Sequence, residues 1–466
     1  MGTERESERQ RVKVQISNKL TITDAPESLE RAIRERLTFE NPAFREAERL
    51  GRWTGNIPEV LTFYRWEEDS LVLPRGCIRQ LLGMAKREGI RYELIDHRRV
   101  LPQVDFTFQG NLRPFQQEAL EAILSRDFGT LSAPTGSGKT VMALAAIAKR
   151  RQPALVIVHT KELMNQWIDR IDSFLGIPSA EVGIIGNGKR TIGLRVTVAL
   201  VQTLYRCAQQ LSPHVGFLIV DECHRAPSRT FTEAVSAFDS RFVLGLSATP
   251  WRRDRLSKLI FWHVGDMVHE IGKAGLIKTG DVLPAEVIIR ETDFRPYSDP
   301  QSEYSAMLSE LTEDAGRNTL IAQDVAGEAR NGGGIVLVLS DRKAHCEALQ
   351  ELLGRQGIDA RLLTGNLGNG ERRRVVEDLA AGKVDVLVAT GQLIGEGFDL
   401  PTLSSLFLAT PIRFDGRVIQ YLGRVLRPAT GKDRARVFDY VDVKVPVLVA
   451  SARARQRVYE CEEQAA

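Results

Sequence analysis

The chain has 466 residues, which is more than one hydrophobic core usually serves, so its length predicts two or three domains. Hydrophobic residues make up 43% and charged residues 26%, a composition that is typical of globular domains and excludes a disordered chain. The formal net charge of +3 is close to balance, so overall charge gives little evidence for a nucleic-acid partner, and any basic binding track must be local.

The sequence shows no signal for membrane insertion or secretion. No run approaches the roughly 18 to 20 apolar residues that a membrane-spanning helix needs, and Met1–Glu6 lacks the apolar core of a signal peptide. The five cysteines are odd in number and no two are spaced like metal ligands, which favours reduced thiols. We therefore expect a cytoplasmic protein without a membrane partner.

Residues 1–105 are predicted to form a small α+β domain that ends in a linker. Val12–Ile16 has the composition of a strand, a charged helix is expected near Ser28–Leu37, and a second helix is expected near Cys77–Glu88. Pro102 and the stretch Phe106–Gly110 are predicted to form this linker.

The pattern then changes to short, continuous apolar runs that are separated by helical stretches. Such runs suit parallel strands that are covered by helices on both faces. The runs are Ala154–Val158, Gly216–Val220, Phe242–Leu246, Ile335–Leu339, Val384–Val388, Ser405–Leu408 and Val437–Tyr440. They predict two α/β lobes in tandem, 106–255 and 332–466, joined by a less regular interlobe segment, 256–331.

A glycine-rich motif, Ala133–Thr140, lies between the strand-like Gly129–Leu131 and the helix expected at Val141–Lys149. Its glycines allow backbone N–H groups to approach a phosphate at the N-terminus of the helix. Lys139 is expected to reach the β and γ phosphates of a nucleotide, and the Thr140 hydroxyl to ligate Mg²⁺. The predicted nucleotide-binding residues here are Pro134, Thr135, Gly136, Ser137, Gly138, Lys139 and Thr140. The alternative is a structural strand-to-helix turn.

Two adjacent carboxylates, Asp221 and Glu222, follow the apolar run Phe217–Val220. This order places them at the carboxyl end of a strand, where open α/β sheets bind ligands. There Asp221 can hold Mg²⁺, and Glu222 can orient and deprotonate an attacking water. The alternative is solvated surface charge.

His224 is predicted to couple this site to the hydroxyls of Ser247 and Thr249, which follow another strand, or else to act as a structural cap. Upstream, Arg113 and Gln116 begin a helix, and the Gln116 amide both donates and accepts, as both edges of adenine require.

Arg424 and Arg427 stand three residues apart, so on a helix they share one face and can both reach a γ phosphate bound to the other lobe. Gln420 and Gly423 precede them and favour this interpretation over an ordinary surface pair. The glycine-rich motif, the paired carboxylates and these arginines, in this order, predict an ATP-hydrolysing motor.

These motifs resemble those of superfamily 2 DEAD/DEAH-type helicases, and the resemblance covers nearly all of residues 112–442. Further matches are His159–Leu163, Val201–Leu204, Thr364–Gly365, Thr390–Gly391 and Gly395–Asp399. The resemblance implies two RecA-like lobes, the cofactors ATP and Mg²⁺, and recognition of adenine by Gln116. It also implies nucleotide contacts at Gly397 and Asp399, and nucleic-acid contacts at Thr160, Gln202, Thr203, Thr364 and Thr390.

The Asp221–His224 box and the segment Trp251–Asp254 look most like the XPB/UvsW branch of this superfamily. Arg253 departs from the branch, whose members often have Glu there, and no large insert resembles the XPB thumb. In the leading domain, Asn41–Phe44, Gly51–Gly55 and Leu73–Gly76 resemble the small leading domain of UvsW-type helicases. Within it, Trp53 can stack on an unpaired base, and basic residues can follow phosphates: Arg45, Arg49, Arg52, Arg75, Arg79, Lys86 and Arg87. The alternative is a solvated face around a core tryptophan.

We therefore predict an ATP-dependent DNA helicase or translocase that acts on branched DNA or R-loop intermediates in recombination or repair. An RNA helicase is one alternative, and a non-processive ATPase clamp that recruits partners is another. A nuclease or restriction subunit is disfavoured, because no additional metal-carboxylate cluster is evident in the sequence. DNA is the expected partner, RNA or an RNA–DNA hybrid stays open, and protein partners are unknown.

Overall fold

The structure is a computed structural model. It describes residues 11–225, 229–248, 257–331, 334–365, 367–391, 402–411 and 435–463, with the single positions 421, 425, 426 and 432. Contacts divide the chain into two compact units: the first holds the residues up to Ala133 and Gly138–Ile271, and the second holds Pro134–Ser137 and the residues from Gly272 onward.

The first unit begins with a small α+β domain. Its elements are β1 (Val12–Ile16), β2 (Lys19–Thr23), α1 (Glu27–Arg36), β3 (Thr38–Glu40), α2 (Pro42–Arg49), β4 (Val60–Thr62), β5 (Arg65–Glu67), β6 (Ser70–Pro74), α3 (Ile78–Arg87) and β7 (Tyr92–Asp96). Five strands form a sheet in the order β5-β6-β2-β1-β7, in which only β1 and β7 pair in parallel. The predicted strand at Val12–Ile16 and both predicted helices are confirmed.

This domain has an alternating core that continues into the neighbouring lobe. Val12, Val14 and Ile16 are buried from every second position of β1, as the period of a strand requires. They belong to one apolar cluster with Leu259 and Trp262, which lie far along the chain in the following lobe. The small domain is therefore not a separately tethered module, because it shares its core with that lobe.

The α/β lobe of the first unit follows. Its elements are α4 (Pro114–Leu124), β8 (Phe128–Ser132), α5 (Lys139–Arg150), β9 (Ala154–Val158), α6 (Lys161–Leu175), β10 (Gly183–Gly186), β11 (Lys189–Arg190), β12 (Val196–Leu200), α7 (Val201–Leu204), α8 (Ala208–Leu211), β13 (Phe217–Val220), α9 (Arg229–Ser236), β14 (Phe242–Ser247), α10 (Ser257–Val264) and β15 (Met267–Glu270). Eight strands form one sheet in the order β11-β10-β12-β9-β13-β14-β8-β15, which is parallel except at β10–β11.

The second unit contains another parallel sheet. Its elements are α11 (Lys273–Lys278), β16 (Ala285–Thr292), α12 (Tyr304–Glu313), α13 (Ala315–Arg330), β17 (Ile335–Ser340), α14 (Lys343–Arg355), β18 (Ala360–Leu363), α15 (Asn369–Ala380), β19 (Val386–Thr390), β20 (Leu403–Leu408), β21 (Ala435–Asp442) and α16 (Pro446–Glu463). The strand order is β16-β21-β20-β17-β19-β18, with parallel pairing throughout.

Every apolar run singled out in the sequence lies wholly or partly in a strand of one of these two sheets, so the prediction of two parallel α/β lobes is confirmed. The expectation of an irregular segment before residue 332 was wrong. Its described part, 257–331, folds into helices and strands that include the 16-residue α13, and β15 and β16 each extend a sheet. The mixed composition of this segment hid two edge strands whose pairing partners lie far away in sequence.

Candidate nucleotide and nucleic-acid sites

The glycine-rich motif connects β8 to α5. Gly136 and Gly138 have φ angles of +91° and +85°, a left-handed region that residues with a Cβ rarely adopt. A Cβ on Gly138 would also lie 2.5 Å from Nε2 of Gln116. The Lys139 Nζ donates to the Ala133 carbonyl at 2.9 Å, which folds the lysine back over the loop. The loop therefore has the open backbone that a phosphate cradle requires.

The hydroxyl groups of the loop also fit a phosphate ligand. The Thr135 Oγ1 is buried and makes no hydrogen bond among the described residues, whereas the Ser137 hydroxyl donates to the Pro134 carbonyl at 2.7 Å. A buried hydroxyl without a partner is costly unless a ligand or water satisfies it. Thr140, in the first turn of α5, is half-buried and lies where a hydroxyl ligand to Mg²⁺ is expected.

Gln116 lies beside this loop. Its amide is buried, and its Oε1 accepts from the Arg113 backbone N–H at 3.0 Å at the start of α4. The structure thus brings Arg113 and Gln116 to the glycine-rich loop. It also uses the acceptor of the Gln116 amide locally, so recognition of adenine through that oxygen stays a prediction.

Asp221 follows β13 and is 6% exposed. Its Oδ2 accepts from the Trp167 indole Nε1 at 2.8 Å, and its Oδ1 accepts from the Glu222 N–H at 2.9 Å. Burial, with the charge of Glu222 second, raises the pKa of Asp221 to about 6. A bound cation would relieve this penalty, so the carboxyl group fits the predicted Mg²⁺ ligand.

Sequence reasoning missed Trp167. The residue lies on the buried face of α6 with Met164, Ile168 and Ile171, and this spacing looks like ordinary core packing. The only available signal was chemical, because a buried indole N–H needs an acceptor. The structure supplies that acceptor from the end of another strand.

Glu222 adopts a φ angle of +49°, a left-handed backbone conformation that costs about 1–2 kcal/mol for a residue with a side chain. The His224 Nδ1 lies 3.1 Å from Oε2 of Glu222 and 3.1 Å from Oγ of Ser247. The structure therefore joins three of the predicted residues through one imidazole. Thr249, predicted with them, lies outside the described residues.

The residues of the first unit that are predicted to contact nucleic acid lie together. Thr160 follows β9 and caps α6 by accepting from the Leu163 N–H at 3.3 Å, and the Gln202 Nε2 donates to the His159 carbonyl at 3.1 Å. Thr203 is the next residue of α7. Because β9 and β12 are neighbours and parallel, the residues that follow them meet at the carboxyl edge of the sheet.

The second unit places Thr364 directly after β18 and Thr390 at the end of β19, again on neighbouring parallel strands. Tyr421 donates its hydroxyl to the Gly391 carbonyl at 2.7 Å. Arg424, Arg427, Gly397 and Asp399 lie outside the described residues, so their roles stay predictions.

On the small domain, Trp53 is 75% exposed and Arg52 beside it is also exposed. One of the predicted phosphate contacts is wrong. Arg75 is 3% exposed and donates to the carbonyls of Phe238 and Ser240, at 3.1 and 3.0 Å. It holds the small domain to the neighbouring lobe and is unavailable to DNA, a role that its position before a basic helix did not reveal.

The described residues contain no cluster of three or more His, Cys, Asp or Glu side chains that could hold a metal ion, and no helix among them is long and apolar enough to span a membrane. The cysteines at 77, 207, 223 and 346 are buried and form no disulfide. Burial raises the pKa of the Cys77 and Cys223 thiols above their ordinary range.

Comparison with known proteins identifies the chain. Residues 109–252 match the family model described as the res subunit of type III restriction enzymes, and residues 301–429 match the helicase conserved C-terminal domain. "Probable helicase D10" of Escherichia phage T5 is 28% identical over 396 residues, covering 81% of each chain. "DNA 3'-5' helicase XPB" of Kineococcus radiotolerans is 26% identical over 347 residues, covering 71% of this chain and 59% of that relative.

The chain is a superfamily 2 helicase. The helicase family also establishes its class of activity, a nucleic-acid-dependent ATPase. A solved structure, "S. cerevisiae Dbp5 bound to RNA and ADP BeF3", covers 81% of this helicase and 90% of the Dbp5 chain, with a TM-score of 0.54 and 16% identity. That likeness concerns the fold, which consists of RecA-like lobes in tandem behind a small α+β region.

Trp167→Phe is expected to weaken the response of the helicase to Mg²⁺. The change keeps an aromatic ring in the core but removes the donor to Asp221, leaving a buried carboxylate oxygen unsatisfied at a cost of about 1–3 kcal/mol. The Mg²⁺ concentration for half-maximal ATPase should rise several-fold, and the melting temperature should fall. Ile168→Val, a mild change on the same helix, is the control. An unchanged Mg²⁺ response in the Phe variant would show that the indole does not position Asp221.

Proposed function

We propose that this helicase is an ATP-dependent DNA helicase or translocase that acts on branched DNA or R-loop intermediates in recombination or repair. The printed name of the XPB relative supports DNA as the substrate. The proposal that the substrate is unpaired or branched DNA rests on one observation. Trp53 is 75% exposed beside Arg52, on a small domain that shares its core with the lobe bearing the nucleotide loop.

Hydrolysis would use residues from three strand ends. Thr140 and Asp221 would hold Mg²⁺, and the Lys139 ammonium would neutralise phosphate charge. Glu222 would orient the attacking water and accept its proton. When bound, Mg²⁺-ATP supplies the phosphoryl group that is transferred to that water. The His224 imidazole, within hydrogen-bond distance of Glu222 and Ser247, would relay the state of the site to the segment after β14.

Arg424 and Arg427 are proposed to stabilise the transferring phosphoryl group, and Gly397 and Asp399 to contribute to nucleotide binding. The roles of the two arginines derive from their spacing, and those of Gly397 and Asp399 are what the resemblance to superfamily 2 helicases implies.

The nucleic acid is proposed to lie along the residues that follow the strands: Thr160, Gln202, Thr203, Thr364 and Thr390. Hydroxyl and amide groups of this kind contact the sugar-phosphate backbone, which carries no sequence information. Cycles of closing and opening between the lobes would then move the protein along any sequence, as a translocase requires.

The ATPase rate at fixed low salt tests this proposal, measured without nucleic acid and with single-stranded DNA, duplex, a four-way junction and matched RNA. Glu222→Gln serves as the blank. Strongest stimulation by the junction is the expected result. Strongest stimulation by RNA would indicate an RNA helicase instead. Stimulation by DNA without strand displacement would indicate a clamp.

Trp53→Ala is expected to weaken binding to a junction with unpaired bases by about tenfold, because base stacking on an aromatic side chain contributes roughly 1–3 kcal/mol. Trp66→Ala is the matched control. Trp66 is also exposed on the small domain, at 44% against 75% for Trp53, and is not among the predicted nucleic-acid contacts. Fluorescence anisotropy with a labelled junction measures both. Equal losses of junction affinity in the two variants would show that Trp53 has no specific role in binding.

A further inference from the structure

The β10–β11 hairpin is a rigid ribbon at the edge of the first unit's parallel sheet. Ile185 pairs with Arg190 and Gly186 pairs with Lys189. The two turn residues, Asn187 and Gly188, have φ angles of +51° and +79°, as the tight turn of a two-residue hairpin requires. The backbone at its tip therefore has a defined conformation.

Two further hydrogen bonds extend this ribbon. The Thr191 N–H donates to the Ile184 carbonyl at 2.9 Å, and the Ile184 N–H donates to the Thr191 hydroxyl at 3.0 Å. The ordered pairing continues past β11, so the hairpin is more than a flexible loop.

The turn of this hairpin lies at the carboxyl edge of the sheet. β10 runs parallel to β12, which pairs in parallel with β9. The last residue of β10, Gly186, therefore lies at the same edge of the sheet as the carboxyl ends of β9 and β12. Adjacent strands lie about 4.8 Å apart, which puts the turn roughly 10 Å from the end of β9. Helix α7, which carries Gln202 and Thr203, contacts β10 directly. The hairpin therefore extends the row of predicted nucleic-acid contacts toward the edge of the sheet.

The tip of the hairpin is cationic. Lys189 and Arg190 are exposed, and neither makes an ion pair within the part of the chain that the structure describes. By contrast, Arg195 at the base of the ribbon is neutralised by Glu181 at 2.7 Å. Positive charge is therefore displayed at the tip and cancelled at the base, which is the distribution that suits an anionic ligand beyond the sheet edge.

An aromatic side chain and another cation lie beside the tip. Tyr205, two residues after Thr203, is 39% exposed, and the Arg206 guanidinium lies 5.4 Å from its ring centroid and donates to its hydroxyl at 3.1 Å. Tyr205 and Arg206 directly follow helix α7, which contacts β10 of the hairpin. We call Lys189, Arg190, Tyr205 and Arg206 the lateral patch.

We infer that the lateral patch is a DNA contact in which the three cations hold phosphates of the strand that passes Thr160 and Gln202, and Tyr205 stacks on a sugar or base. The inference rests on the proposed function. Exposed cations beside an aromatic ring match single-stranded nucleic acid, which proteins bind by phosphate neutralisation and stacking. The position at the end of the predicted track favours DNA over an acidic protein surface.

The test compares two double variants by fluorescence anisotropy with a single-stranded oligonucleotide over a series of salt concentrations. Lys189→Ala/Arg190→Ala is expected to reduce affinity about tenfold at moderate salt, and to lower the slope of log K against log salt by roughly one to two units. Lys149→Ala/Arg126→Ala is the matched control. It removes the same charge from exposed positions of the same lobe, at the end of α5 and before β8, and should leave affinity and slope unchanged.

Tyr205 provides a second, independent measurement. Tyr205→Leu should weaken binding while Tyr205→Phe retains it, because stacking needs the ring and not the hydroxyl. Thermal melts of all variants establish that they are folded.

The outcomes separate the two proposals. A wild-type protein that binds no DNA would overturn the proposed function. A wild-type protein that binds DNA, with the Lys189/Arg190 variant matching it in affinity and slope, would overturn the lateral patch alone and leave that surface to a protein partner.

Discussion

Replacing Glu222 with Gln should reduce ATP turnover by about 10²- to 10⁴-fold, the range that a general base contributes. The substitution preserves shape but removes the group that accepts a proton from water. The structure supports this residue because Glu222 is only 17% exposed, and because His224 and Ser247 fix its surroundings. Lys139→Ala should be comparably inactive, because the loop would lose the ammonium group that neutralises phosphate charge.

DNA affinity separates loss of chemistry from loss of fold in these variants. Both should bind oligonucleotides about as tightly as the wild type, because neither side chain lies among the predicted strand contacts. His224→Ala serves as an intermediate control, since it keeps the carboxylate but removes the imidazole that faces it. A steady-state ATPase rate near that of the wild type in both Glu222→Gln and Lys139→Ala would refute the assignment of this site.

Replacing Gly76 with Val should destabilise the whole first unit by more than about 3 kcal/mol, within the range of severe overpacking. A Cβ at this position would lie 2.2 Å from the carbonyl oxygen of Phe261 and 2.5 Å from that of Trp262. Both clashes are with backbone, which cannot move aside by changing a rotamer. The small domain would have to separate from α10, exposing Trp262, which packs on the rings of Phe39 and Phe63.

The matched control lies on the next helix. Gly83→Ala adds a Cβ whose nearest neighbour is the end of the Arg87 side chain at 4.0 Å. Because alanine has the higher helix propensity, this variant should be neutral or more stable by up to about 1 kcal/mol. Thermal or denaturant unfolding measures both. A Val variant that melts with the wild type would mean that the domain is not seated on α10 as described.

The shared core also changes how the role of the small domain can be tested. Removing residues 1–100 would delete the partners of Trp262 and of the Ser240 carbonyl, so lost DNA binding in such a deletion would not distinguish a missing contact from a damaged lobe. The Trp53→Ala substitution avoids this ambiguity because Trp53 is 75% exposed.

Local patterns in the sequence were sufficient to predict a feature wherever that feature depends on consecutive residues. The loop from Ala133 to Thr140 could be predicted because one short segment supplies the glycines, the lysine and the start of the helix. The buried strands, such as β9 and β13, could be predicted because parallel strands covered on both faces have continuous apolar runs.

The tertiary structure alone decided the long-range pairings. Trp167 on α6 holds Asp221 at the end of β13, Arg75 fastens the small domain to the lobe, and β15 extends the sheet of the first unit. A buried indole and a buried guanidinium look in sequence like core packing and surface charge, because their hydrogen-bond acceptors lie 54 and more than 160 residues away. The sequence thus determined which reactive groups this helicase carries. The packing of distant segments determined which side chains orient those groups, because hydrogen bonds and apolar contacts depend on proximity in space.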